Sequence, residues 1–142
     1  MSQYTHLLIG LDLSSESTSV LQKAVSLAKI LTAKVSLIHV IEPLTFAYAG
    51  DLPVDLLNTQ QVLEEHSRKK LQELAHSSAA EVAFCDVTIG PTGQEMRDKA
   101  KEIGADLIVV GSHGRHGFAL LLGSTASELL HGAECDVLAI RI

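Results

Sequence analysis

Five short apolar runs alternate along the chain with four stretches of helical periodicity, and this alternation limits the fold more than any other feature. The runs are His6–Asp12 (HLLIGLD), Lys34–Ile41 (KVSLIHVI), Val82–Ile89, Asp106–Val110 (DLIVV) and Asp136–Ile142 (DVLAIRI). The first and fourth are nearly continuous in Leu, Ile and Val, as expected of strands buried on both faces. Between them the period changes. Val20, Leu21, Ala24, Val25, Leu27, Ala28 and Leu31 form one helical stripe, with Ser14–Ser17 supplying hydroxyls and a carboxylate at its start. A longer helix from about Asp55 carries Leu56, Leu63, Leu71, Leu74, Ala75 and Ser78 inward. Its outer face holds Glu64, Glu65, Arg68, Lys69 and Lys70, a solvated surface with i,i+4 pairs. Pro91 suits a third helix start and Gly104 the position past its end, with Met96, Ala100 and Ile103 between them. A last helix begins near Gly123–Ser124, uses Ala126, Leu129 and Leu130, and ends near Gly132.

The predicted order is βαβαβαβαβ. Right-handed crossovers then require a parallel sheet, and five strands are too few to close a barrel. The expectation is an open five-stranded parallel α/β sheet with helices on both faces, filling residues 1–142 as one domain. Only 4% of residues are aromatic against 46% apolar, so the core must be aliphatic. The net charge of −6 argues against a nucleic-acid or membrane-surface partner, since both need a positive face. The N-terminal MSQYTH has no basic region followed by a long apolar stretch, so no signal peptide is expected, and no apolar run reaches the ~18 residues of a membrane span. Cys85 and Cys135 are therefore expected to be free thiols in a cytoplasmic protein. The longest irregular piece, Glu42–Val54, reads either as a lid or as an excursion.

Function is pointed to by the glycine-rich stretch Gly111–Thr125. Open parallel sheets bind ligands outside the carboxyl ends of their strands, where strand order reverses. Here the fourth strand runs directly into Gly111-Ser112-His113-Gly114-Arg115-His116-Gly117, and Gly123-Ser124-Thr125 follows at a helix start. Glycines allow close backbone approach, while helix N-terminal N–H groups attract an anion. The hydroxyls of Ser124 and Thr125 can donate to phosphate, and Arg115 is the cation of the loop. The competing reading is a glycine turn whose Ser124 caps the last helix. Neither a P-loop nor a dinucleotide fingerprint is present.

The Gly-Ser-His-Gly and Gly-Ser-Thr-Ala pair after the fourth strand resembles the universal stress protein family. Gly10-Leu11-Asp12-Leu13-Ser14, Leu37-Ile38-His39-Val40 and Cys135-Asp136-Val137-Leu138 agree with it, so the resemblance covers the whole chain. It implies a Rossmann-like three-layer sandwich of strand order 3-2-1-4-5, usually dimeric, with many members binding ATP. By the same resemblance Asp12 and Val40 belong to the adenosine end, Gly111 to the ribose, and Gly114, Gly123, Ser124 and Thr125 to the phosphates. One departure stands out: Arg115–Leu122 puts eight residues between the second and third motif glycines, one fewer than is typical of ATP-binding members. The cradle is then tighter or differently shaped.

Other chemistry is weaker. Asp12 could be a general base, a Mg²⁺ ligand, a partner for adenine or ribose, or the cap of the first helix. His113, His116 and His131 lack the converging partners of a metal site, and Ser112, His113 and Asp12 lack the nucleophile elbow of a hydrolase. No catalytic residue and no metal ligand is assigned. His39 reads as a packed strand histidine. In the implied order the last strand is an edge, and Val137, Leu138, Ala139 and Ile140 offer an unguarded apolar surface for a homodimer. The resemblance implies dimerisation through the same strand. The resulting expectation is a cytoplasmic stress-response homodimer with unidentified protein partners, binding ATP with or without Mg²⁺ as a regulatory ligand. The alternatives are a nucleotide-free scaffold and a slow ATP hydrolase.

Overall fold

The structure is a computed structural model that describes residues 4–42, 54–112, 128–132 and 134–141, with side chains of the second segment from residue 58. Its elements are β1 (His6–Gly10), α1 (Ser17–Leu31), β2 (Lys34–Ile41), α2 (Val54–Ser77), β3 (Val82–Ile89), α3 (Thr92–Ile103), β4 (Leu107–Gly111) and β5 (Asp136–Ile140). Residues 128–130 are helical as well. All strand pairs are parallel, in the order β3-β2-β1-β4-β5.

The near-continuous apolar runs have the burial that both-face coverage demands. Leu7, Leu8 and Ile9 have no exposed surface although their side chains alternate between faces. Leu7 and Ile9 join Leu37, Val109 and the α1 stripe (Val20, Leu21, Ala24, Val25, Ala28), with Leu63, Leu71 and Leu74 of α2. Leu8 joins Ile38, Val40, Ile108, Val110, Met96, Ala100 and Leu129 on the other face. The result is a three-layer sandwich.

The ends of α3 follow its sequence signals. Pro91 is the N-cap, in an extended conformation, and Gly104 closes the helix in the left-handed region at φ 73°. At the foot of the sheet Asp106 ties β1 to β4. Its carboxylate accepts the backbone N–H of His6 at 3.0 Å, the N–H of Thr5 at 2.9 Å and the Thr5 hydroxyl at 2.9 Å. Burial works against its ionisation, but these hydrogen bonds outweigh it and hold the carboxyl below the usual range.

The two sheet edges differ. On β3, Arg68 of α2 donates to Asp86 at 2.8 Å and to the Val87 carbonyl at 3.4 Å, while Lys99 of α3 lies over the Phe84 ring. Charged side chains therefore cover that edge. On β5, Leu138 is 36% exposed, and Val137, Ala139 and Ile140 are partly exposed.

A buried histidine adds a pH dependence. His6 is 8% exposed, and its Nε2 lies 2.7 Å from the hydroxyl of buried Ser36. Burial, and next the charge of Lys34, push its pKa down; the Ile103 backbone and Asp106 oppose this only in part. The neutral ring is thus favoured by folding. Stability should be full above the unfolded value near 6.5 and decline as pH falls below it. Asp106 adds a second decline in more acid solution, below about 3.8. Urea unfolding between about pH 8 and 5 should show the first decline in the native chain and lose it in His6→Gln; an unchanged slope in the variant would refute it.

Candidate functional site

β1 and β4 leave the sheet side by side. Ile9 pairs with Val109, so Asp12 and Ser112 each lie three residues beyond that pair. Gly10 pairs with Ile38 of β2, which places Val40 two residues further along the neighbouring strand. Asp12, Val40 and Gly111 are therefore gathered at one end of three adjacent strands. The remaining predicted positions, Gly114, Arg115, Gly123, Ser124 and Thr125, lie outside the described residues. So do His113, His116, the start of the last helix and most of Glu42–Val54.

Asp12 sits in a constructed turn. One carboxylate oxygen, Oδ1, accepts the Ser14 N–H at 3.0 Å, the Ser14 hydroxyl at 2.6 Å and the Ser17 hydroxyl at 3.1 Å. The Ser14–Ser17 hydroxyls thus orient Asp12 across the entrance to α1, whereas Glu16, the N-cap itself, makes no side-chain cap bond. Next to Asp12, Leu13 has φ 62°, a left-handed conformation that strains a non-glycine residue by about 1 kcal/mol or more. Its side chain is 5% exposed and anchored in the core. Its carbonyl accepts Lys70 Nζ of α2 at 2.9 Å.

The adjoining groups are fixed as well. The Leu11 N–H donates to the Ile38 carbonyl at 3.0 Å. His39, 8% exposed, has Nδ1 at 2.7 Å from the Leu11 carbonyl. A carbonyl only accepts, so the ring proton is on Nδ1. This is the packed strand histidine that the sequence predicts, and it braces the loop that carries Asp12. The Ser112 N–H donates to the Ile140 carbonyl at 2.7 Å. Its hydroxyl oxygen is buried and has no hydrogen-bond partner, a property shared among the described residues only with the Thr88 hydroxyl. A buried hydroxyl left unmatched costs about 1–3 kcal/mol, so such an atom at a strand end needs a reason.

Sequence reasoning misses one contributor to the site, Lys70. Lys70 and Arg68 read from sequence as part of a solvated helix face, and Arg68 does pair with Glu64 at 3.1 Å. Both also reach across, to the Leu13 carbonyl and to Asp86. Helical periodicity marks which side faces away from the core but not what a long side chain can reach from there. Cys85 and Cys135 are free and half-buried, as expected, and burial raises both thiols above their usual range. Among the described residues no three His, Cys, Asp or Glu converge, and no helix is long and apolar enough to cross a membrane.

The chain is 40% identical over 146 aligned positions to universal stress protein A homolog 2 of Coxiella burnetii, covering 100% of this chain and 98% of that one. Homolog 1 of the same organism is 38% identical over 138 residues, 96% of each chain. Among solved structures, universal stress protein UspA from Lactobacillus plantarum superposes with a TM-score of 0.73 at 25% identity, over 99% of this chain and 100% of that one. A universal stress protein in complex with cAMP gives 0.63 at 21% identity, over 97% of each chain. The Archaeoglobus fulgidus protein in complex with dAMP gives 0.60 at 18%, over 99% of each. The family model of universal stress proteins matches residues 3–141, and the chain belongs to the universal stress protein family.

Proposed function

We propose that this chain binds an adenine nucleotide, ATP with or without Mg²⁺, at the carboxyl ends of β1 and β4, and does so as a regulatory ligand in a cytoplasmic stress-response homodimer. The observation that carries the reading is the unmatched, buried Ser112 hydroxyl. It lies beside Gly111, in the same strand register as the pre-oriented Asp12. A hydroxyl that donates and accepts, a carboxylate that accepts and a glycine without a side chain suit a ribose and a phosphate chain. Asp12 and Val40 would hold the adenosine end and Gly111 the ribose. Gly114, Arg115, Gly123, Ser124 and Thr125 would hold the phosphates. Structural relatives solved with cAMP and dAMP lend support to the adenine class. Bound ATP would supply a charged, conformationally restrictive ligand, and the reading is ligation rather than fast turnover, since Arg115 is the loop's single cation for a transition state. For the dimer, the support is the contrast between the charge-covered β3 edge and the apolar β5 edge.

The test begins with purified protein, heat-denatured, and its supernatant analysed for nucleotide. An adenine nucleotide is expected there, or a thermal shift on adding Mg-ATP. At roughly a hundred times Kd, ATP should add about 2.7 kcal/mol of stability. Gly123→Val should remove the shift and leave the dimer mass unchanged, while Leu138→Lys should give monomers in sedimentation. An empty supernatant with no shift would leave the scaffold alternative standing, and phosphate release within an hour would favour the slow hydrolase.

A further inference from the structure

We infer that Lys70, on α2, is a positioning residue for the nucleotide site: it holds the Leu13–Ser14 peptide, whose N–H donates to Asp12 Oδ1, beside the strained Leu13, and so fixes the direction of the Asp12 carboxylate. The inference rests on the nucleotide reading above, but its observations are independent of any ligand. Leu13 is left-handed at φ 62°, in a turn that a leucine does not adopt unaided. Three restraints hold it there. Its side chain is buried in the α1–α2 side of the core. The Ser14 N–H is bonded back to Asp12 Oδ1 at 3.0 Å. The Leu13 carbonyl receives Lys70 Nζ at 2.9 Å, from 57 residues away in sequence. The second restraint belongs to the turn and the first is apolar packing; the third is the polar bond that ties the turn's backbone to another helix.

Lys70 is well placed for that task. The next residue, Leu71, is 1% exposed, so the helix backbone under Lys70 is docked firmly on the sheet. An ammonium donating to a carbonyl makes a charge-assisted bond, stronger than a neutral one. Without it the Leu13 peptide can relax toward a right-handed conformation, and Asp12 turns with it. Apparent affinity then falls in proportion to the fraction of molecules that keep the competent turn. Because Lys70 is an exposed residue, the fall is moderate, about three- to tenfold.

The experiment measures two quantities on the full chain: affinity for a fluorescent ATP analogue, and the hydrogen exchange rate of the Ser14 amide without nucleotide. Lys70→Met should weaken binding by the stated factor and speed Ser14 exchange, with little change in melting temperature. Lys70→Arg should restore both, which a generic loss of helix stability would not produce. Lys69→Met removes the same charge one residue away and should change neither. If Lys70→Met and Lys69→Met weaken binding equally, the effect is overall charge and the inference falls. If the native chain binds ATP and Lys70→Met leaves affinity and exchange unaltered, the inference falls while the nucleotide reading stands. If exchange responds as expected but the native chain binds no nucleotide, the tether stands as a structural element and the nucleotide reading fails.

Discussion

Leu8→Ala and Ile9→Ala should each lower the free energy of unfolding by about 3 kcal/mol, although the two residues are neighbours in sequence and point in opposite directions. Both have 0% exposure. Leu8 fills the face shared with Ile38, Ile108, Met96 and Leu129, and Ile9 the face shared with Leu37, Val109 and the α1 stripe. Each truncation leaves a cavity in a central strand, where the backbone is held on both sides and cannot collapse around it. The two sites share no side-chain partners in their clusters, so the costs should add to within about 0.5 kcal/mol. The double variant, near 6 kcal/mol worse, would then approach the whole stability of an ordinary domain. Equilibrium urea unfolding at fixed protein concentration reads this directly. A cost under about 1 kcal/mol at either position would mean that one helical layer does not pack as described.

This two-sidedness is the part of the fold most legible in the chain. A strand covered on both faces has no polar alternation, and HLLIG and LIVV have none. The bounds of β2 and β3 agree with the apolar runs that predict them, because Lys34 and the turn at Gly90 are clear punctuation. The end of β1 is less legible. The run His6–Asp12 predicts a strand to Asp12, whereas β1 ends at Gly10. Leu11 is apolar and buried and its N–H still donates to the Ile38 carbonyl, but its own carbonyl accepts the His39 ring and the chain then turns into the left-handed Leu13, so the ladder goes no further. β5 likewise ends at Ile140, so Arg141 of the predicted run is not in the strand; Ile142 lies outside the described residues. β4 runs one residue later than Asp106–Val110, because Gly111 still pairs with Ile140 of β5.

For the candidate site, strand ends were legible and second contacts were not. Asp12 ends one apolar run, Gly111 follows another and Val40 is the last residue but one of a third, and parallel topology brings such ends together. Nothing in the spacing reveals that Ser14 and Ser17 converge on one oxygen of Asp12, or that Lys70 reaches Leu13. Those contacts depend on how α1 and α2 dock, which a one-dimensional pattern does not specify. Of the readings of Asp12 from sequence, the tie to the entrance of α1 is the one the structure shows, through Ser14 and Ser17.

Gly10→Val is the second large effect expected, a loss of about 2–3 kcal/mol from overpacking. The reason is space rather than backbone freedom, because Gly10 is absent from the positive-φ residues of the described chain. A Cβ at this position would stand 2.4 Å from Met96 Cε, 2.9 Å from its Sδ and 3.3 Å from Val110 Cγ1. The thioether of α3 thus lies directly on the β1 backbone, just before the strand leaves the sheet for Asp12. An alanine could push the flexible Met96 end aside at modest cost; a second and third methyl press on Val110 as well. Met96 is 4% exposed, so Met96→Ala alone should also destabilise, by about 2–3 kcal/mol through its cavity. Combined, the two changes compensate, since the valine methyls enter the volume the thioether leaves. The double variant should therefore cost at least about 1 kcal/mol less than the sum of the singles, by denaturant unfolding of all four proteins. Strict additivity would show that α3 does not rest on Gly10. Because α3 presses on β1 two residues before Asp12, the proposed nucleotide site predicts that the same displacement weakens binding in Gly10→Val, with Met96→Ala recovering part of that loss along with part of the stability.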